Sequence, residues 1–94
     1  MTATLHIEHE INDYETWRAA FDGFGEARTQ GGVTATRVRL DEDDAHQIVI
    51  DLDFDSTAAA HAFAAFLRDR VWGTRNAPAL VGAPTTRVLV ETVH

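Results

Sequence analysis

Two periodicities, and the order in which they alternate, constrain this chain more than any single motif. The stretch "LHIEHEI" (5–11) alternates apolar and charged side chains with period two, as a strand with one buried face does. The next stretch, "NDYETWRAAFDGFGEARTQGG" (12–32), changes to helical spacing, and Tyr14, Trp17, Phe21 and Phe24 fall within roughly 80° of one another on a 3.6-residue wheel. Asn12 followed by Glu15 has the spacing of a capping box, which predicts the helix start, and Gly31 with Gly32 supply a left-handed ending. Gly23 and Gly25 each cost a helix about 1 kcal/mol relative to alanine, so a kink or fraying is expected in its middle.

Period two returns in "VTATRVRL" (33–40) and "HQIVIDLDF" (46–54), which the acidic turn "DEDDA" (41–45) joins into a hairpin. Antiparallel partners share a face, so placing Val38 and Leu40 with Ile48 and Ile50 requires paired residue numbers with an even sum. Val38 opposite Ile50 sets Arg37 against Asp51; the next register sets Arg37 against Asp53 and Arg39 against Asp51. Either pairs arginine with aspartate. Asp55 or Ser56 caps a second helix, "STAAAHAFAAFLRDRV", with Ala59, Phe63, Phe66 and Leu67 along one stripe. The stretch "WGTRNAPALVGAP" (72–84), with both prolines, reads as an irregular connection, and "TTRVLVETV" (85–93) as a closing strand.

The order β-α-β-β-α-β suits an α+β, ferredoxin-like fold: a four-stranded antiparallel sheet, first and third strands central, with both helices on one face. The 94 residues make a single domain spanning 1–94, and a chain of this size buries only about 60–65% of its unfolded surface. The helix-covered face receives Ile7, Ile11, Val38, Leu40, Ile48, Ile50, Leu52, Phe54, Val88 and Val90. The open face receives His6, Glu8, Glu10, Arg37, Arg39, Val49, Asp51, Asp53, Arg87, Leu89, Glu91 and Val93. That open face interleaves apolar residues with opposed charges, which predicts that it pairs with a second copy and that the fold completes itself as a homodimeric α/β barrel.

Composition narrows the function classes. A net charge of −7, with eight arginines and no lysine, repels a phosphate backbone and argues against nucleic acid. No aromatic residue lies on the open face, as an RNA-binding sheet of this strand order requires. Cysteine is absent, so there is no thiolate metal site. No segment approaches the roughly 20 apolar residues of a membrane span, and a cytoplasmic protein with no membrane partner is expected.

The segments "HEINDYETWRAAFD" (9–22), "VIDLDFDSTAAAHAF" (49–63) and "VGAPTTRVLVETV" (81–93) together resemble the small dimeric α/β-barrel proteins of the antibiotic-biosynthesis-monooxygenase type, especially their uncharacterised members. The resemblance spans nearly the whole chain. It implies the fold, a homodimer, a small apolar or aromatic ligand, and a possible cofactor-free monooxygenase or cyclase activity with no bound cofactor. It also implies cavity roles for Trp72, Asn76, Arg37 and Arg39. The haem-degrading type fits less well, because Asn12 lies at a helix cap rather than in mid-strand and no histidine follows Trp72 until His94.

Three residues are candidate catalytic, proton-handling groups: His6, Glu8 and His9. Arg37, Arg39, Asp51 and Trp72 are candidates for lining a ligand pocket. His6 and Glu8, two apart on one strand face beside Asp51, have the residue types for general acid–base work or for a divalent ion, although no metal ligand set is assigned. Cross-strand ion pairs with the two arginines account for the same carboxylates. His9 shares the parity of Ile7 and Ile11 and belongs either to a hydrogen-bonded sheet end or to the site. The alternatives to an enzyme are a non-catalytic dimerisation or ligand-sensing module and a divalent metal-binding protein.

Overall fold

The computed structural model describes residues 2–72 and 80–92. Strand β1 (Ala3–Ile11) leads into helices α1 (Tyr14–Gly23) and α2 (Gly25–Gln30). The hairpin β2 (Ala35–Asp41) and β3 (Asp44–Phe54) follows, then α3 (Thr57–Phe66), a π-helical segment Leu67–Trp72, and β4 (Leu80–Val90). The sheet is antiparallel in the order β2-β3-β1-β4, so β1 and β3 are central, as the alternation predicts. This is the ferredoxin-like α+β arrangement. No described helix is long and apolar enough to cross a membrane.

The core sits between the helices and the sheet face carrying Leu5, Ile7, Ile11, Ile48, Ile50, Leu52 and Phe54, all buried, and Trp17, Ala60, Phe63 and Ala64 close it from the helix side. The buried stripe of α3 is thus Ala60, Phe63 and Ala64, while Ala59, Phe66 and Leu67 are only partly buried at its margin. Leu40 and Val90 have the parity of the covered face but are exposed, because they lie on the edge strands β2 and β4, beyond the helices' reach.

The first helix starts one residue later than the capping-box spacing suggests. Asp13, extended at φ −158°, is the N-cap, and its carboxylate accepts from the Thr16 amide at 2.9 Å and the Thr16 hydroxyl at 2.6 Å. Thr16 therefore takes the third helical position, and Glu15 sits in the first turn where the helix dipole favours an acid. The weakness at Gly23 and Gly25 appears as a break at Phe24 that divides α1 from α2. After α2, Val33 N–H bonds Arg28 C=O at 3.0 Å and Gly32 N–H bonds Thr29 C=O at 3.2 Å, a Schellman ending that puts Gly32 at φ +89°. Gly31 is needed for a different reason: a Cβ there would stand 2.5 Å from the Phe63 ring, so only glycine lets α2 approach α3.

The hairpin takes the register with Val38 opposite Ile50 and Arg37 opposite Asp51, and its turn is tighter than expected, only Glu42 and Asp43 separating the strands. The largest departure is β4. It begins at Leu80 rather than Thr85, because residues 80–84 of the stretch read as irregular belong to a bulged strand: Glu8 pairs with Thr85 but Glu10 with Val81, leaving two extra residues in β4 opposite His9. Gly82 takes φ +74° inside the bulge, and Pro84 is tolerated because β4 is an edge strand.

Candidate functional site

The open face of the sheet carries a continuous polar network. Asp51, buried although it lies on this face, accepts from Arg39 Nη2 at 2.6 Å through Oδ2 and is bonded to His6 Nδ1 at 2.6 Å through Oδ1. His6 Nε2 is 3.2 Å from Glu8 Oε2. Asp53 accepts from the Thr4 hydroxyl at 2.7 Å and from Arg37 at 3.2 and 3.4 Å. The bond from Thr4 is the main cause holding the Asp53 carboxyl below its usual range, with Arg37 adding to it. The backbone register sets Arg37 opposite Asp51, yet the side chains pair diagonally, Arg37 with Asp53 and Arg39 with Asp51. Long arginine stems reach a diagonal neighbour easily, which is how the ion pairs of the alternative register occur in this one.

On the other side of the sheet lies an apolar cavity of about 70 Å³ between sheet and helices. Its wall includes Ile7, His9, Trp17, Phe21, Arg28 and Trp72. His9 points here because it shares the phase of Ile7 and Ile11, and it is buried at 5% exposure. Its Nδ1 is a buried nitrogen with no hydrogen-bond partner among the described residues. Desolvation lowers the imidazole pKa to about 4, with a hydrogen bond to the Glu10 backbone acting in the opposite direction, so the ring is neutral at pH 7. Trp17 lies 6.3 Å from His9 between ring centroids and stacks on Phe21 at 4.7 Å. Trp72 reaches this cavity through the π-helical segment. Bonds of i→i+5 type return residue 72 over Leu67, whereas a regular α-helix would splay the two by roughly 140°.

The candidate residues therefore divide between two sides of the sheet. His6, Glu8, Asp51, Arg37 and Arg39 come together on the open face, whereas His9 and Trp72 share the interior cavity, whose described lining includes none of that first group. Glu8 and His9 also meet at an open cleft beside the β4 bulge. Arg37, Arg39 and Asp51 do not line the cavity with Trp72, because their parity sends them through the sheet's opposite face. Asn76 lies outside the described residues. Among the described residues, no group of three or more His, Asp or Glu side chains has the geometry to hold a metal ion. Both ring nitrogens of His6 are engaged by carboxylates, whereas His9, in the cavity wall, keeps a buried ring nitrogen without a hydrogen-bond partner among the described residues.

The charged residue of the cavity wall, Arg28, escaped the sequence reading. Arg28 stands seven residues after Phe21 and four after Phe24, so it continues the stripe of Tyr14, Trp17, Phe21 and Phe24 through the break. That spacing was the available signal, and its charge disguised it.

No protein-family model and no curated protein matches this chain. Solved structures match along nearly all of it. Rv0793 from Mycobacterium tuberculosis is 11% identical with a TM-score of 0.73, over 100% of this chain and 98% of that one. A mutant form of SnoaB from Streptomyces nogalater, a cofactor-independent oxygenase, is 11% identical with a TM-score of 0.72, over 99% of this chain and 95% of that one. The fold is that of the antibiotic-biosynthesis-monooxygenase-like proteins. A dimeric ferredoxin-like protein from an uncultured marine organism is also similar, at 10% identity and a TM-score of 0.61, over 98% of each chain. In the monooxygenase-like fold as this chain builds it, the sheet offers one charged outer face and one apolar cavity.

Proposed function

We propose that the protein binds a small, flat apolar or aromatic molecule in the cavity between sheet and helices, and that His9 accepts a proton from it. The unpartnered Nδ1 of His9 inside an apolar wall carries this reading. Leaving a buried polar atom unsatisfied costs about 1–3 kcal/mol, a cost that a ligand hydroxyl or acidic C–H group at that atom would offset. The imidazole is neutral at pH 7 and so able to take up a proton, but desolvation makes it a weak base, so transfer requires the ligand's developing anion to stabilise the imidazolium beside it. A cavity lined by Trp17, Phe21 and Trp72 suits a flat ring. Cofactor-independent oxygenation and cyclisation both begin with loss of a proton from an activated carbon or phenol, and the oxygenase among the similar folds favours the first.

A drug-sized ligand needs roughly 300 Å³ or more, well above the 70 Å³ present, so binding requires a wall to yield. The helical wall is the one with a built-in break, at Phe24 between two glycines. The small volume also favours a second reading, a ligand-sensing module without turnover.

The outer face supports pairing of two copies. Leu89 is 45% exposed there beside a charge network that can extend to a partner, and a similar fold is a dimer. The same reading gives it no nucleic-acid partner, on its charge of −7.

The test is a panel of phenols and hydroquinones followed by product formation and dioxygen uptake, with His9→Asn as the variant. Retained binding with turnover reduced about 100-fold or more supports proton transfer by His9. Undiminished turnover in the variant refutes it, and ligand-induced stabilisation without any turnover selects the sensing module.

A further inference from the structure

Besides His9, the cavity wall contains one cationic side chain among the described residues, Arg28. Its guanidinium lies 3.8 Å over the Phe21 ring, and Nη1 donates to the Phe21 carbonyl at 2.6 Å. These contacts tie α2 to α1 across the break at Phe24 and restrict the side chain's rotamers, so less side-chain freedom remains to be lost on binding wherever they persist as the wall yields. No carboxylate forms an ion pair with it among the described residues. Asp22, the acid whose charge acts on Arg28, is paired with Arg18 at 3.5 Å, and Arg37 and Arg39 each have an aspartate of their own. Burial pushes the Arg28 pKa down, the direction expected of a charge that is partly stripped of water and incompletely compensated.

Arg28 and His9 also stand at the two ends of one column of side chains: His9 meets Trp17 at 6.3 Å, Trp17 stacks on Phe21 at 4.7 Å, and Arg28 covers Phe21. A flat molecule lying against the edges of this column has a neutral imidazole towards one end and a planar cation towards the other. With Nη1 held by a carbonyl, Nη2 and Nε are left to meet an oxyanion, the geometry in which a guanidinium binds a carboxylate or phenolate. We propose that Arg28 is the anion-recognising group of the cavity and that the ligand is a flat aromatic bearing a carboxylate or phenolate. The inference rests on the cavity being the ligand site, and it adds the charge that the ligand must carry.

Benzoate and benzamide have nearly the same shape and differ in charge, so they make a matched pair of probes. Titration followed by NMR at the indole N–H resonances of Trp17 and Trp72 reports occupancy of the cavity itself. The wild-type chain is expected to bind benzoate about tenfold or more tightly than benzamide. Arg28→Met keeps the packing over Phe21 but removes the charge, and should bring the ratio close to one with benzamide affinity little changed. Arg28→Lys should retain part of the preference, which separates loss of charge from loss of fold. Equal affinities in the wild type, or a full preference in Arg28→Met, overturn the role of Arg28 while leaving the cavity as a ligand site. Binding of neither probe overturns both.

Discussion

The two faces of the sheet solve opposite problems with residues that alternate along the same strands. On the outer face each carboxylate oxygen of Asp51 and Asp53 meets a partner: Asp51 holds Arg39 and His6, and Asp53 holds Arg37 and Thr4. On the inner face His9 and Arg28 are polar groups whose needs the described residues leave partly unmet. Satisfied networks hold a structure in register, whereas an unmet buried group is a standing cost that function can explain. The contrast supports the proposed division, with a ligand on the inside and a second copy on the outside.

The comparison breaks most easily at the core on which both faces depend. Phe54→Ala removes a fully buried ring that packs on Phe63 at 5.7 Å between centroids, and should lower unfolding free energy by about 3–5 kcal/mol in urea titrations. A loss under about 1 kcal/mol would mean that the sheet and α3 are not cemented there.

A smaller effect separates the faces by pH. His9 has its pKa lowered from 6.5 to about 4 on folding, so the unfolded chain binds more protons than the folded one between those values. Stability contributed by the neutral ring is complete above about pH 6.5 and is lost as pH falls towards 4, by at most about 3 kcal/mol. In His9→Phe that slope should diminish relative to wild type across the same window. Identical slopes in the two proteins would show that His9 is solvated.

The smallest effects concern the outer network. Asp51→Ala removes the acceptor shared by His6 and Arg39 and should cost about 1–2 kcal/mol, whereas Arg37→Ala, at an exposed pair, should cost under about 0.5 kcal/mol. Equal costs would mean that burial of Asp51 confers no advantage. If the outer face joins two copies, both losses should grow with protein concentration.

Much of this organisation was legible in the sequence, because a two-residue period assigns every strand residue to a face without knowledge of its neighbours. The phase of Ile7 and Ile11 was visible at His9 but did not decide between a hydrogen-bonded sheet end and the site, and the even-sum rule limited the hairpin to registers that oppose arginine and aspartate, although not to the diagonal pairs that form. The start of β4 was hidden because Gly82 and Pro84 have the composition of a loop, and only pairing with β1 reveals a bulged strand. Asp13 displaced Asn12 as cap because either side chain can fill that position and the Thr16 contacts decide between them. Arg28 was missed because a charged residue on a stripe of aromatics reads as the stripe's end, and its burial depends on where the chain bends.

The bulge in β4 also governs how this molecule avoids the wrong kind of self-association. A straight outermost strand is a template on which further chains can add without limit, ending in fibres. Here that rim lacks one amide hydrogen at Pro84 and is twisted out of line at Gly82, while the opposite rim presents Arg37, Arg39 and Asp41. Growth sideways is discouraged at both margins, which leaves the open face as the surface for the proposed pairing.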